Sequence, residues 1–336
     1  MLVPAKAGCE RVARDLPLTL RMLDLPRIVF VLGKGGVGRS TVSTALALAL
    51  AERKERVLVF EWAVAEAIAP WFDLPPAGAT PCEVAPGVMV ANYDLDEALR
   101  AYFVDHLKVG FFYRNVVHGP SLRRLIEAAP GVAEMLFLGQ LWWLTTLAEK
   151  EAGLRFDRVV VDAPATGHGV SLLDLSETLT SMGAGGLLRR EVERVASMMG
   201  DPAWTGAFVV ALPEELAMEE TLELVPRATR ALGRAPLVAV VNRSVARFMS
   251  DEASSPWLAE LGKDLSTPSR ESLETLHAEL RHRVTHEAEL RRGLEGSTRW
   301  STLSVDEMLA VSERTSPREV AVSVAGELGA WLEGEG

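Results

Sequence analysis

The run Arg27-Ile-Val-Phe-Val-Leu32 enters Gly33-Lys34-Gly35-Gly36-Val37-Gly38-Arg39-Ser40-Thr41 without a polar break, and Ser40–Glu52 follows as an alanine- and leucine-rich stretch at helical spacing. No other feature of the 336 residues restricts the fold as much. A continuous apolar run that ends in glycine reads as a strand buried on both faces. Arg56–Phe60 (RVLVF) supplies a second such strand after the helix. Strand, glycine loop, helix and strand together are the start of a parallel βαβ sheet.

Further short strands are expected at Arg158–Val161, Ala207–Leu212 and Leu237–Val241, with weaker ones at Val88–Val90 and Ser301–Val305. Between the second strand and Arg158 the pattern is mainly helical. Ala98–Leu107, Ser121–Ala129 and Val132–Glu151 read as amphipathic helices, with Pro75, Pro76 and Pro120 as breaks. Ser171–Met199 is a second helical stretch, interrupted at Gly183–Gly186, and Thr267–Arg292 reads as a charged helix. The expected organisation is a leader over 1–26 and one α/β P-loop NTPase domain over 27–336. Its mostly parallel sheet is flanked by helices, with helical insertions at about 64–155 and 170–204.

The 46 acidic residues outweigh 35 basic ones, and the net charge of −11 argues against a chain that coats nucleic acid through its overall field. Cys9 and Cys82 stand far apart with no CxxC, so a disulfide scaffold and a four-cysteine zinc site are excluded. No apolar run is long enough for an integral membrane segment, and the N-terminus lacks a signal-peptide core. A cytoplasmic protein is expected.

The loop fits G-x4-G-[basic]-[ST] between a strand and a helix. Its glycines let successive backbone N–H groups converge on phosphate oxygens, and the helix N-terminus adds partial positive charge. Ser40 is placed to bind Mg²⁺ through its hydroxyl. Where such loops carry lysine this one carries Arg39, longer and planar, unable to act as a compact point charge on a β/γ-phosphate. Nucleotide binding is therefore expected to survive better than hydrolysis.

Lys34 with Gly35-Gly36-Val37-Gly38 resembles the deviant Walker A motif of the signal-recognition/MinD branch of P-loop proteins. Asp162-Ala-Pro-Ala-Thr-Gly-His168 is similar to the D-T-A-P-T-G-H signature of ArsA-type anion-transporting ATPases and their relatives that target tail-anchored membrane proteins. Pro213-Glu214, Glu220-Thr221 and Val241-Asn242-Arg243 follow in the family's order, so the resemblance covers roughly 27–330. It implies ATP/ADP with Mg²⁺, bound by Gly33, Lys34, Gly35, Gly36, Val37, Gly38, Arg39, Ser40 and Thr41. It further implies Asn242 and Arg243 on the adenine side, with Ser40 and Asp162 on the metal. Lys34, Asp162 and Gly167 would be the catalytic set, Lys34 reaching across a dimer interface and the Gly167 N–H meeting the γ-phosphate. Residue by residue, Asp162 also reads as a turn cap, Asn242 as a strand cap, and His168 as a structural partner of its loop.

The chain departs from the family at its second strand. Where members carry S-T-D-P-A-H-S-L, an ungapped match puts Ala63 at the water-orienting aspartate and Glu66 at the histidine. A methyl group cannot accept a proton. Glu61, two residues upstream, shares the face of Ala63 if the strand continues, either reaching the metal or simply ending the strand. Arg39 and Ala63 together predict weak or absent hydrolysis.

The resemblance implies a homodimer or, in a paired arrangement that is favoured here, a heterodimer with a competent ArsA-like paralogue. A non-catalytic regulatory or scaffold subunit of that paralogue is the alternative. So is a carrier whose apolar residues Phe111–Tyr113, Leu136–Leu138 and Leu141–Leu144 bind an apolar helical client. Helix–helix core packing is the plainer reading of those residues. No cysteine lies beyond Cys82, so the CxxC zinc clasp of eukaryotic members is not expected, and a metalloid–thiol site is a poor reading. His282 and His286, four residues apart, read as part of a solvated helix face.

Overall fold

A computed structural model describes residues 25–100, 131–164, 187–246, 266–295, 301–306 and 316–333. Eight strands run β1 (Ile28–Leu32), β2 (Val57–Glu61), β3 (Cys82–Ala85), β4 (Val88–Asn92), β5 (Arg158–Asp162), β6 (Thr205–Ala211), β7 (Val238–Ser244) and β8 (Ser301–Asp306). They form one sheet in the order β3-β4-β2-β5-β1-β6-β7-β8. All neighbours are parallel except β3 and β4, which pair antiparallel. The mostly parallel α/β P-loop architecture expected from the first βαβ unit is the one adopted.

The described helices are α1 (Arg39–Glu52), α2 (Ile68–Trp71), α3 (Leu95–Arg100), α4 (Val132–Thr146), α5 (Ala148–Ala152), α6 (Leu187–Gly200), α7 (Glu215–Leu232), α8 (Thr267–Glu295) and α9 (Pro317–Glu333). Strand alternation sorts them into two layers. Val29, Val31, Val57, Val59, Val160, Phe208, Val210 and Val240 face α1 and α9, while Ile28, Phe30, Leu58, Phe60, Val159, Val161 and Val209 face α4, α6, α7 and α8. Both faces are covered, which is why the central strands read as unbroken apolar runs rather than alternating ones.

The stretch 64–155, read as helical insertion, also contains the β3–β4 pair, so it extends the sheet as well as decorating it. Within it the helix expected at Val132–Glu151 breaks at Leu147 into α4 and α5. Of the helix expected at Ala98–Leu107, the described part lies in α3. The helix expected at Ser121–Ala129, the segment Phe111–Tyr113 and residues 171–186 lie outside the described residues. Phe137, Leu138 and Leu141 on α4 are fully buried in the core, Trp143 donates its indole N–H to Glu151 Oε2 at 2.7 Å, and Arg194 lies over the Trp142 ring. These α4 residues therefore pack as core. Among the described residues no helix is long and apolar enough to cross a membrane.

Helix ends on the α6/α7 side meet at Arg234. Its guanidinium donates to the carbonyls of Met199, Gly200, Asp201, Thr205 and Leu232, gathering the C-terminal ends of α6 and α7 and the start of β6. Carbonyls at helix ends carry partial negative charge, and one cation answers three of them, Met199, Gly200 and Leu232, together with two from the chain leading into β6. Arg234→Ala is expected to cost roughly 2 kcal/mol in chemical denaturation, and a loss below a few tenths would show that water replaces the guanidinium freely.

Candidate functional site

Strands β1, β2, β5 and β7 end at one edge of the sheet, and their last residues meet the loop that enters α1. Gly33 leaves β1 where no side chain fits: a Cβ there would stand 2.6 Å from the Val210 carbonyl oxygen and 2.9 Å from Val37 Cγ2. Gly38 caps α1 at φ 96°, and its Cβ would stand 2.3 Å from Asn242 Nδ2. The first helical bond is Val42 N–H to the Gly38 carbonyl, with no side-chain cap and no acid in the first turn. The N-terminal amides of α1 are thus left facing outward beside the exposed Gly35 and Gly36, an arrangement suited to an anion.

Beside this loop Ser40 donates its hydroxyl to Asp162 Oδ2 at 2.6 Å, and Ser43 approaches Asp162 Oδ1 at 3.4 Å. Thr41 is half-buried in the same turn. Burial raises the Asp162 pKa, against the opposing pull of Ser40, Arg39 and Ser43. Arg39 does not extend along the loop. Its guanidinium donates to the Ala163 carbonyl, and desolvation lowers its pKa although Asp162 opposes the shift. Lys34 pairs with Glu220 Oε1 of α7 at 2.7 Å, both side chains about one-third exposed, so in this chain it is held in cis. Gly167 and His168 lie outside the described residues.

Glu61 closes β2. It is 1 % exposed and stands in register with Asp162 on β5. Its Oε1 accepts the Ala67 N–H at 3.3 Å, and its Oε2 is buried with no partner. Burial pushes its pKa up to about 7, opposed by the Ala67 and Ile68 N–H groups and helped by the charges of Asp162 and Glu66. The segment after it is fastened rather than loose. Asn92, the last residue of β4, accepts the Ala63 N–H at 3.0 Å and donates to the Ala63 carbonyl at 2.9 Å. Glu66 accepts the Gly78 N–H at 3.0 Å, and Trp62 packs on Tyr93 and Phe137 at ring separations of 4.8 Å. Asn92 was not singled out by sequence, because a polar residue ending an apolar strand carries no distinguishing pattern.

On the far side Asn242 donates to the Val37 carbonyl at 2.8 Å and accepts the N–H of Arg243 at 2.9 Å. Each bond uses only part of the amide, leaving a second N–H and a second lone pair. Arg243 sits at φ 54°, and its carbonyl accepts from Arg283 on α8 at 2.9 Å. Ser244 donates to the buried Glu287 of α8 at 2.5 Å. So the loop, Asp162, Glu61 and Asn242 converge at one edge, while Arg39 and Lys34 are engaged within the chain. The rings of His282 and His286 lie 6.5 Å apart on α8, and no group of three or more metal-binding side chains occurs among the described residues.

The family model of anion-transporting ATPases of the ArsA type matches residues 26–184. ATPase BagA of Mycobacterium tuberculosis is 31% identical over 229 residues, which are 65% of each chain. An arsenical pump-driving ATPase of Acidiphilium multivorum is 31% identical over 156 residues, 45% of this chain and 26% of that protein. An ATPase ASNA1 homolog of Entamoeba histolytica is 29% identical over 164 residues, 46% and 47% of the two chains. The match thus spans at most 65% of these relatives' own lengths. The loop, the Asp162 strand end and these relatives agree in a likeness to ArsA-type ATPases over the N-terminal half of the chain.

Proposed function

We propose that the protein is a cytoplasmic, ATP-binding, dimeric switch with impaired hydrolysis. The observation that carries this reading is the fastened Ala63: the segment that orients water in the family offers a methyl group, on a backbone held from both sides by Asn92. Arg39 supports it, since a guanidinium engaged with the Ala163 carbonyl is not a free charge for a γ-phosphate.

The residues present suit Mg²⁺-nucleotide. Ser40 and Asp162 offer hard oxygen donors, and the glycine loop with the α1 N-terminus offers N–H donors for phosphate. Magnesium, when bound, supplies charge neutralisation of the β- and γ-phosphate oxygens. The chain itself binds phosphate through loop amides, positions the Ser40 hydroxyl through Asp162, and offers the remaining amide capacity of Asn242 to a base edge. Lys34 serves the partner's nucleotide once its pair with Glu220 opens. A heterodimer with a competent ArsA-like paralogue fits best, because the chain then keeps the lysine that acts in trans while lacking the aspartate that acts in cis. The apolar-client reading loses support from α4, where Phe137, Leu138, Leu141 and Leu144 are core and Leu136, Trp142 and Trp143 pack partly buried against it.

Titration with a fluorescent ATP analogue in Mg²⁺, alongside phosphate release and sedimentation, tests the reading. Saturable binding with phosphate release far below that of a relative bearing lysine and aspartate at these positions is expected. Absence of binding, or release at that relative's rate, would sink it.

A further inference from the structure

We propose that Glu61 is a second acidic residue of the cation side of this site, holding water on a nucleotide-bound divalent cation together with Asp162. The inference deepens the nucleotide reading and rests on it. Glu61 and Asp162 are the last residues of neighbouring parallel strands and stand directly opposite in the register Glu61↔Asp162. Strand alternation puts both on the α1 side: Val57, Val59 and Val160, two and four residues earlier, belong to the layer that packs α1. The bonds from Ser40 and Ser43 of α1 to Asp162 place the same face at the loop.

What singles out Glu61 is how badly it suits a structural role. A strand-end carboxylate normally lies in water or has both oxygens answered. This one is 1 % exposed, with the Ala67 N–H 3.3 Å from Oε1, the Ile68 N–H also directed at the carboxylate, and no hydrogen bond to Oε2. Among the described residues it is the one carboxylate oxygen left both buried and unpartnered. The guanidinium drawn toward Asp162, that of Arg39, is engaged with the Ala163 carbonyl. Two buried carboxyls side by side with so little cationic compensation are a poor structural pair and a good outer shell for a hard divalent ion. Ser40 brings a hydroxyl to the same place. The acid missing from position 63 thus has a counterpart two residues earlier, at the end of the strand rather than in the loop. Glu61 acts here as a positioning residue, through water.

The test uses the full chain with ADP, Mg²⁺ and Mn²⁺. Glu61→Gln keeps the size and an acceptor for the Ala67 N–H while removing the charge. The gain in ADP affinity that Mg²⁺ confers over EDTA is expected to shrink about tenfold or more, and Mn²⁺ binding to the ADP complex, read by electron paramagnetic resonance, to weaken equally. Asp162→Asn serves as the positive control. An unchanged Mg²⁺ gain and unchanged Mn²⁺ affinity in Glu61→Gln, with both lost in Asp162→Asn, overturn the inference and leave the nucleotide reading intact. A wild-type protein that binds no ADP under either condition overturns the nucleotide reading itself. Should Glu61→Gln fail to fold, Glu61→Asp withdraws the carboxylate by one methylene. It is expected to lose part of the Mn²⁺ affinity, and full retention there counts against the inference as well.

Discussion

Without nucleotide or metal, raising the pH from about 5 to about 8 is expected to cost the protein roughly 3 kcal/mol of folding stability through Glu61, and Glu61→Gln to remove most of that loss. The sign follows from the direction of the shift. The carboxyl titrates at about 7 when folded, against an ordinary value of 4.5. Below 4.5 it is protonated in both states and the folded protein holds a neutral acid. Between the two values the folded state keeps its proton and the unfolded chain releases it, so unfolding gains with each step in pH. Above 7 the folded state must hold a desolvated anion, and the contribution is gone. Asp162, in register beside it and also shifted upward by burial, adds in the same direction, and Glu66 presses the same way through its charge. Arg39 faces Asp162 and moderates the shift of that residue. Urea melts at several pH values measure the slope. A Glu61→Gln variant whose midpoint falls with pH as steeply as the wild type would show that the carboxyl is solvated after all.

The same residue shows what was readable beforehand and what was not. The loop and the central strands were readable because burial on both faces leaves an unbroken apolar run that few other structures produce. Strand β3 was not. Cys82-Glu-Val-Ala85 is four residues long, sits at the sheet edge and is only partly buried, so it carries neither alternation nor an apolar run. The nearness of Glu61 to Asp162 was hidden for a different reason. It depends on β2 lying next to β5, and the chain between them leaves the pair to form β3, β4 and four described helices before returning. Spacing along the sequence carries no record of that adjacency. From sequence Glu61 is open to either reading, and register puts it beside Asp162. Arg39 was recognised as a substitution, yet its bond to the Ala163 carbonyl depends on where β5 ends. The pairing of Lys34 with Glu220 likewise depends on where α7 packs, which spacing does not record.

Restoring both altered positions, Arg39→Lys with Ala63→Asp, is expected to raise ATP turnover on the order of 100-fold, with each single change giving much less. The Ala63 backbone is clamped by two bonds from Asn92, so an aspartate introduced there inherits a fixed main chain instead of a floppy one. Positioning is the larger part of what such a carboxylate contributes, because phosphoryl transfer leaves little covalent work for the protein. A lysine at 39 is a point charge on a flexible stem, without the planar fork that the Ala163 carbonyl now engages, and is free to follow the phosphates. Neither repair suffices alone: a placed water without the charge meets an unstabilised phosphoryl group, and the charge without the water has nothing to activate. Non-additivity is thus part of the expectation. Single-turnover phosphate release on the four proteins measures it. If the double variant stays at the wild-type rate while still binding the nucleotide, the lesion lies elsewhere in the site. If Arg39→Lys alone reaches the full rate, Ala63 is no handicap and Glu61 already carries out the orientation of water.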